Sequence, residues 1–286
     1  MKKSLIVTLL GVVCLINTVG YIPVEAAEGS QIRNECHCDG VKEISDRMVT
    51  VKYEDLDKVI EDNKEIPLLQ VEGNIPTVII NNNKRASSKI NSFYKTKLRD
   101  FEQDIRDYTQ MAKKDYSRRN EELKKSWHAY SLGTKYTTSR VDNSLMSFIQ
   151  NNYEYAGGAH PNATRFAQTF STATGKRLTL KDITTNVEEA TQIINDYILQ
   201  ETKKEADKGY FFEDYEKHIK EILTEDTWYF SDEGLVIISN EYIISPHSTG
   251  ILEFTIPYNE LSFIKPEYLI PSTKCVENIE DYIEEE

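Results

Sequence analysis

The chain has 286 residues, with 34 Lys and Arg against 47 Asp and Glu and a formal net charge of −13. So acidic a balance argues against a nucleic-acid partner, because basic side chains supply most of the affinity for phosphate backbones. It suits a soluble body or a basic partner, and the length suffices for one large or two small domains with an apolar core.

The first 26 residues form a separate unit. Met1-Lys2-Lys3 is a short positive end, Leu5 to Val19 is almost continuously apolar, and Val24-Glu25-Ala26 offers an exit before Ala27. This is the pattern of a signal peptide. From Ser4 to Ile22 the run also approaches the ~20 residues that span a bilayer, so an uncleaved anchor is the alternative. Either form places the body outside the cytoplasm, secreted or held at the outer face of the membrane. Cys14 follows Val13, where a lipoprotein signal wants a small residue. No second long apolar run occurs, so membrane contact is expected only through this segment.

Residues 27–46 are polar and aperiodic and read as a linker. Cys36-His37-Cys38 cannot close a tetrahedral metal shell unaided, and Cys36, Cys38 and Cys275 cannot all pair internally. Alternation at Val49, Val51 and Tyr53 predicts a strand. Leu68–Val71 and Pro76–Ile80 predict two more, separated by Gly73-Asn74. The period then changes. Ile90, Phe93, Phe101, Ile105, Tyr108 and Ala112 recur at helical spacing and predict one amphipathic helix over Ser87–Leu123, capped by Ser87 or Ser88. A hairpin follows, Trp127–Thr138 and Ser144–Tyr155 around Val141-Asp142-Asn143. Thr164–Ser171 is a further strand, turned by Thr174-Gly175-Lys176 into Arg177–Leu180. Helices are predicted near Val187–Lys208 and Glu213–Leu223, and strands at Thr227–Ser231, Leu235–Ser239 and Gly250–Ile256. The expected class is α+β, a largely antiparallel sheet packed by helices, with one long amphipathic helix in the N-terminal half. The acidic tail, 273–286, is expected to fray.

No nucleophile elbow, phosphate-cradling glycine loop or zinc-binding His-Glu-x-x-His helix is present. Two segments are unusual for surface loops. In Tyr153-Glu154-Tyr155-Ala156-Gly157-Gly158-Ala159-His160-Pro161-Asn162 a strand runs into two glycines, which permit positive φ, and then into a Pro turn. In Tyr242-Ile243-Ile244-Ser245-Pro246-His247-Ser248-Thr249-Gly250 a second Pro-His loop leads into the last strand. Stiff loops lose little entropy on binding, and Tyr153, Tyr155 and Tyr242 are candidate aromatic anchors.

With Thr174-Gly175-Lys176, Leu178-Thr179-Leu180-Lys181-Asp182, Gly234-Leu235 and Ile256-Pro257-Tyr258-Asn259-Glu260-Leu261, these loops complete an ordered pattern. It resembles the extracytoplasmic domain of RsiV-type anti-sigma factors (domain-of-unknown-function family 3298) over roughly Thr138 to Ile264. Residues from about Asn63 to Lys125 resemble the companion domain that also precedes the catalytic domain of some peptidoglycan deacetylases. The resemblance implies a companion domain over 47–137, an RsiV-like domain over 138–272, and recognition of lysozyme. His247 departs from the pattern, standing where an aromatic residue is expected. With three residues ahead of the apolar run and no deacetylase domain, the recognition role carries over and sigma-factor sequestration does not.

The expected function is therefore an exported ligand-binding protein of the cell envelope, its partner lysozyme or another basic or cell-wall-associated ligand. No catalytic residue, cofactor or metal is assigned. The candidate binding residues are Tyr153, Tyr155, Gly157, Gly158, His160, Pro161, Asn162, Tyr242, Pro246 and His247. The alternatives are a metal-assisted cell-wall hydrolase using His160 and His247, with His128 as a third ligand, and a non-catalytic accessory surface protein. The spatial distance between the two Pro-His loops discriminates among these readings.

Overall fold

The computed structural model describes residues 49–269. The signal or anchor segment, the linker, all four cysteines and the acidic tail lie outside the described residues.

The first body is a six-stranded sheet crossed by one long helix. β1 (Val49–Asp55) and β2 (Lys58–Glu61) run antiparallel along the same neighbour, β3 (Pro67–Ile80), in one register that passes the Leu56-Asp57 break and shifts by one residue between Ile60 and Glu61. β4 (Tyr130–Val141) lies parallel to β3, and β5 (Leu145–Tyr155) and β6 (Asn162–Ser171) follow as antiparallel neighbours. The sheet order is β1-β3-β4-β5-β6, with β2 also on β3. The expected α+β class and largely antiparallel pairing are what the chain forms.

Gly73-Asn74 does not divide two strands, and β3 runs through both. A Cβ on Gly73, at φ 149°, would stand 2.0 Å from the Thr134 carbonyl oxygen, so the glycine admits β4 rather than making a turn. Asn74 Oδ1 accepts from the Tyr136 N–H at 2.7 Å, just where the parallel pairing ends. No sequence pattern predicts β2, because Lys58–Glu61 carries no clear alternation. Its one apolar outward residue, Val59, is exposed.

The long helix, α1, spans Lys84–Arg118 rather than Ser87–Leu123. Asn83 caps it by accepting from the Ala86 N–H at 3.2 Å, while the Ser87 hydroxyl turns to the Ile80 N–H at 2.9 Å. Arg119 leaves the helix, and Asn120 caps a separate five-residue helix, α2 (Glu121–Lys125). Ile90, Phe101, Ile105 and Ala112 are buried as the period requires. Tyr94, which the period missed, sits at the centre of the seam and meets Tyr136, Phe148 and Phe170 at ring distances of 5.1 to 5.8 Å.

The Asp142 hairpin forms as expected. Asp142 Oδ1 accepts from the backbone N–H of Ser144 and Leu145 at 2.7 and 3.0 Å. After β6, the Thr174-Gly175-Lys176 turn packs on the start of α1, where a Cβ on Gly175 would lie 2.4 Å from the Ala86 carbonyl oxygen. Arg177–Leu180 then makes only one isolated bridge instead of a strand. Thr179 and Asp182 form a reciprocal cap that starts the short helix α3 (Leu180–Ile183), so local side-chain bonds win over strand pairing.

The second body packs α4 (Val187–Glu205) and the short α5 (Tyr215–His218) on an antiparallel sheet of β7 (Trp228–Phe230), β8 (Gly234–Ser239) and β9 (Leu252–Pro257). Ala190, Ile194 and Ile198 face Leu235, Ile237, Ile256 and Trp228 in its core. Arg140 joins the two bodies. Only 3 % exposed, it pairs with Asp142 at 2.5 Å and donates to the Tyr268 carbonyl and the Tyr258 hydroxyl at 2.5 and 3.0 Å. The expected domain boundary at 137/138 falls inside β4, whose pairing with β5 continues across it to Val141.

Candidate functional site

The two Pro-His loops meet. The His160 and His247 rings stack with centroids 4.0 Å apart and planes 17° from parallel. The Tyr242 ring continues the stack on His247 at 6.2 Å and 14°. Three planar groups, with His160 and His247 lying 87 positions apart (247 − 160), thus form one short column, ending in a Tyr242 residue that is 55 % exposed. His247, the departure from the aromatic pattern, still serves as a flat ring here.

Backbone bonds set this convergence. Asn240, at the end of β8, accepts from the Arg165 N–H at 2.7 Å and donates to the Arg165 carbonyl at 3.0 Å. This amide clamp fastens the start of the second loop to the outer edge of β6, three residues beyond the end of the first loop. The Tyr242 N–H donates to the Ser245 carbonyl at 2.9 Å, closing a turn around buried Ile244. Pro246 starts a single 3-10 turn, His247–Thr249, and the Thr249 hydroxyl donates to the Tyr210 carbonyl at 3.0 Å. Tyr242 itself has φ 66°, a conformation that costs a non-glycine residue about 1 kcal/mol and recurs at functional sites.

Each histidine also has a partner in its own loop. His160 Nδ1 lies 2.9 Å from the Pro161 carbonyl, and His247 Nδ1 lies 2.6 Å from Glu241 Oε2. The Glu241 side chain is 8 % exposed. Of the two glycines, only Gly157 uses positive φ, at 79°; Gly158 has no such requirement. Asn162 donates to Glu154 Oε1 at 3.2 Å, and Pro161 is half-buried. Tyr153 and Tyr155 stand on β5 instead, and among the described residues no ring contact joins them to the column.

Beside the first loop, between α1 and the β4–β6 half of the sheet, is a cavity of about 310 Å³. Asp100, Asp104 and Glu154 line it, with Lys97 as the cation. Partial burial, then the neighbouring charges of Asp107, Asp100 and Glu154, raises the Asp104 carboxyl above its ordinary range. Burial likewise raises the Tyr108 hydroxyl, which donates to Glu154 Oε2. The cavity thus gathers three acidic side chains beside one lysine, and among 47 acids no sequence pattern marks the ones that gather there. Asn240, equally, looked like an ordinary polar residue after a strand.

The two stacked imidazoles do not make a metal centre. A metal lies in the plane of each imidazole it binds, and near-parallel stacked rings share no plane. Among the described residues no group of three His, Cys, Asp or Glu side chains could hold a metal ion. His128 instead places Nδ1 3.0 Å from the Ser126 carbonyl.

Two family models match this chain in tandem. Residues 61–163 match the model described as Deacetylase PdaC, and residues 181–259 match the Protein of unknown function (DUF3298). The companion segment thus precedes the DUF3298 segment, as the sequence motifs imply, and both are typical of extracellular domains. The His160 loop closes the first match and the His247 loop lies within the second, so the ring column joins the two. No curated protein matches the chain. The fold is similar to that of a DUF3298 family member from Bacteroides fragilis NCTC 9343, at 18 % identity and a TM-score of 0.55, over 80 % of this chain and 96 % of that one. A DUF3298 family protein from Pseudomonas aeruginosa PAO1 is similar at 16 % identity and a TM-score of 0.51, over 77 % and 97 % of the two chains. Among the described residues no helix is long and apolar enough to cross a membrane.

Proposed function

We propose that the chain is an exported binding protein of the cell envelope whose recognition face is the column formed by Tyr242, His247 and His160, and that this face takes a basic protein of the lysozyme kind. The observation that carries the reading is the 4.0 Å contact between two loops far apart in sequence. A pre-built, exposed aromatic end lowers the ordering cost of association. The acidic cavity and the net charge of −13 favour a cationic partner and speed its approach. The RsiV resemblance supplies lysozyme as the specific candidate.

Calorimetric titration of the purified protein with lysozyme at low and high salt tests this. Binding should weaken with salt, and Tyr242→Ala should cost ~2 kcal/mol, about a thirtyfold rise in Kd, if the ring is a central anchor. Absence of heat at both salt concentrations removes lysozyme as the ligand. The metal-assisted hydrolase has no comparable support, since its two histidines cannot bind one metal as stacked.

A further inference from the structure

The sheet face opposite α1 carries a second hollow, unconnected with the ring column. It is a groove of about 720 Å³ running from the β1–β2 junction across β3 and β4 to β5. Its volume lies in the range typical of small-ligand sites. The strand registers explain its shape. One row across the sheet reads Glu72, Gly133, Tyr153, and Gly133 is the gap in it. The rows on either side are Gln70, Ser131, Tyr155 and Lys135, Asn151. A Cβ on Gly133 would sit 3.2 Å from the Glu72 carbonyl oxygen and 3.7 Å from the Tyr153 Cβ, so the glycine leaves a trench between a carboxylate and a tyrosine that is 45 % exposed.

The chemistry of this trench is specific in kind. Its walls are mostly polar side chains: carboxylates at Asp55, Asp57 and Glu72, the Lys135 ammonium, amides at Gln70 and Asn151, and the Ser131 and Thr137 hydroxyls. Asp57 Oδ1 already accepts from the Gly73 N–H at 2.8 Å and Asn151 Oδ1 from Arg165 Nε at 2.7 Å, which leaves their other polar atoms for a ligand. They can donate to and accept from neighbouring hydroxyl groups on one ligand. The one aromatic residue along it is Tyr153, at the β5 end and 45 % exposed. Few apolar pockets are available for protein side chains, and the carboxylates oppose a phosphate backbone. A hydroxyl-rich ring with one apolar face satisfies both features, lying against Tyr153 while its hydroxyls meet the amides and carboxylates. Three strand spacings give the trench a length of ~14 Å, enough for a short extended chain of such rings.

We propose that this groove is a saccharide-binding site for an extended, β-linked glycan chain, separate from the protein-binding face. The proposal goes beyond the lysozyme reading and does not depend on it.

The test is an NMR titration of the purified protein with chitotetraose, cellotetraose and maltotetraose, with no lysozyme present. An extended β-linked tetramer should shift amide resonances of Gln70, Glu72, Gly133 and Asn151 and leave those of Tyr242 and His247 in place. Gln70 and Glu72 are exposed strand residues, so Gln70→Ala and Glu72→Ala should fold normally and weaken saccharide binding at least tenfold each. Their affinity for lysozyme should be unchanged, whereas Tyr242→Ala should keep the saccharide response. No shift with any of the three tetramers overturns the proposal, as does binding that both groove variants retain. Maltotetraose binding as tightly as the extended chains would overturn the assigned geometry. Failure of the lysozyme titration alone leaves the groove untouched.

Discussion

Replacing Asn240 by Ala removes both hydrogen bonds of the clamp on Arg165, which measure 2.7 and 3.0 Å. Arg165 is half-buried, so water regains only part of the freed N–H and carbonyl. At about 1 kcal/mol for each bond the loss is ~2 kcal/mol. For a body of this size that lowers Tm by roughly 4–8 °C. The functional effect should be larger than the thermal one, because the clamp fixes where the second loop sits against the first. Stacked imidazoles shift one another's ring protons through ring currents, and that shift is the readout. In Asn240→Ala the His160 and His247 ring protons should move toward their values in an unstructured peptide, and Kd for the ligand of the column should rise. Asn240→Asp keeps the acceptor for the Arg165 N–H but sets a carboxylate against its carbonyl, so it should be no better than the Ala variant in holding the loops. If Asn240→Ala loses the expected stability yet leaves both imidazole signals in place, the clamp does not position the loops and this account of the site is wrong.

Asp142→Ala should cost ~3–5 kcal/mol in urea unfolding, because it leaves the Arg140 guanidinium buried without its carboxylate. Although burial opposes its charge, the Arg140 charge and the bonds from Ser144 and Leu145 hold the Asp142 carboxyl below its ordinary value of 3.8. Its stabilisation is thus complete above that value and fades as pH falls through the depressed one, so the variant's stability should change less than the wild type's on acidification below it. Asp104 has the opposite sign. Its raised carboxyl makes ionisation unfavourable in the folded state, so Asp104→Asn should raise Tm at neutral pH, and the gain should shrink as pH falls. The same change should weaken a basic ligand, which calorimetry would show. Gly73→Ala should abolish soluble expression, since a Cβ 2.0 Å from the Thr134 carbonyl forces β3 and β4 apart; a soluble variant with wild-type urea midpoint would refute the close approach as the reason for the glycine.

Local pattern carried much of the secondary structure. The alternation at Val49, Val51 and Tyr53, the spacing of Ile90, Phe101, Ile105 and Ala112, and the Val141-Asp142-Asn143 turn each describe contacts within a few residues. Local pattern misleads where a residue's preference serves a distant partner. Gly73-Asn74 has the composition of a turn, yet the glycine makes room for Thr134 and the asparagine bonds Tyr136, some sixty residues away. Ser87 has the composition of a helix cap, but its hydroxyl is taken by Ile80 while Asn83 caps the helix and also bonds the Thr172 and Ala173 carbonyls.

From the sequence by itself follow the apolar run near the N-terminus, the acidic balance, the α+β class and the identity of two stiff Pro-His loops, because each is written in composition or in a repeat a few residues long. Their meeting was decided only in three dimensions. Asn240 and Arg165 are 75 positions apart, and their pairing depends on where the edge of one sheet lands against the end of a strand in another. No short-range periodicity encodes that distance. The packing of the two sheets sets it, and with it the contact between His160 and His247.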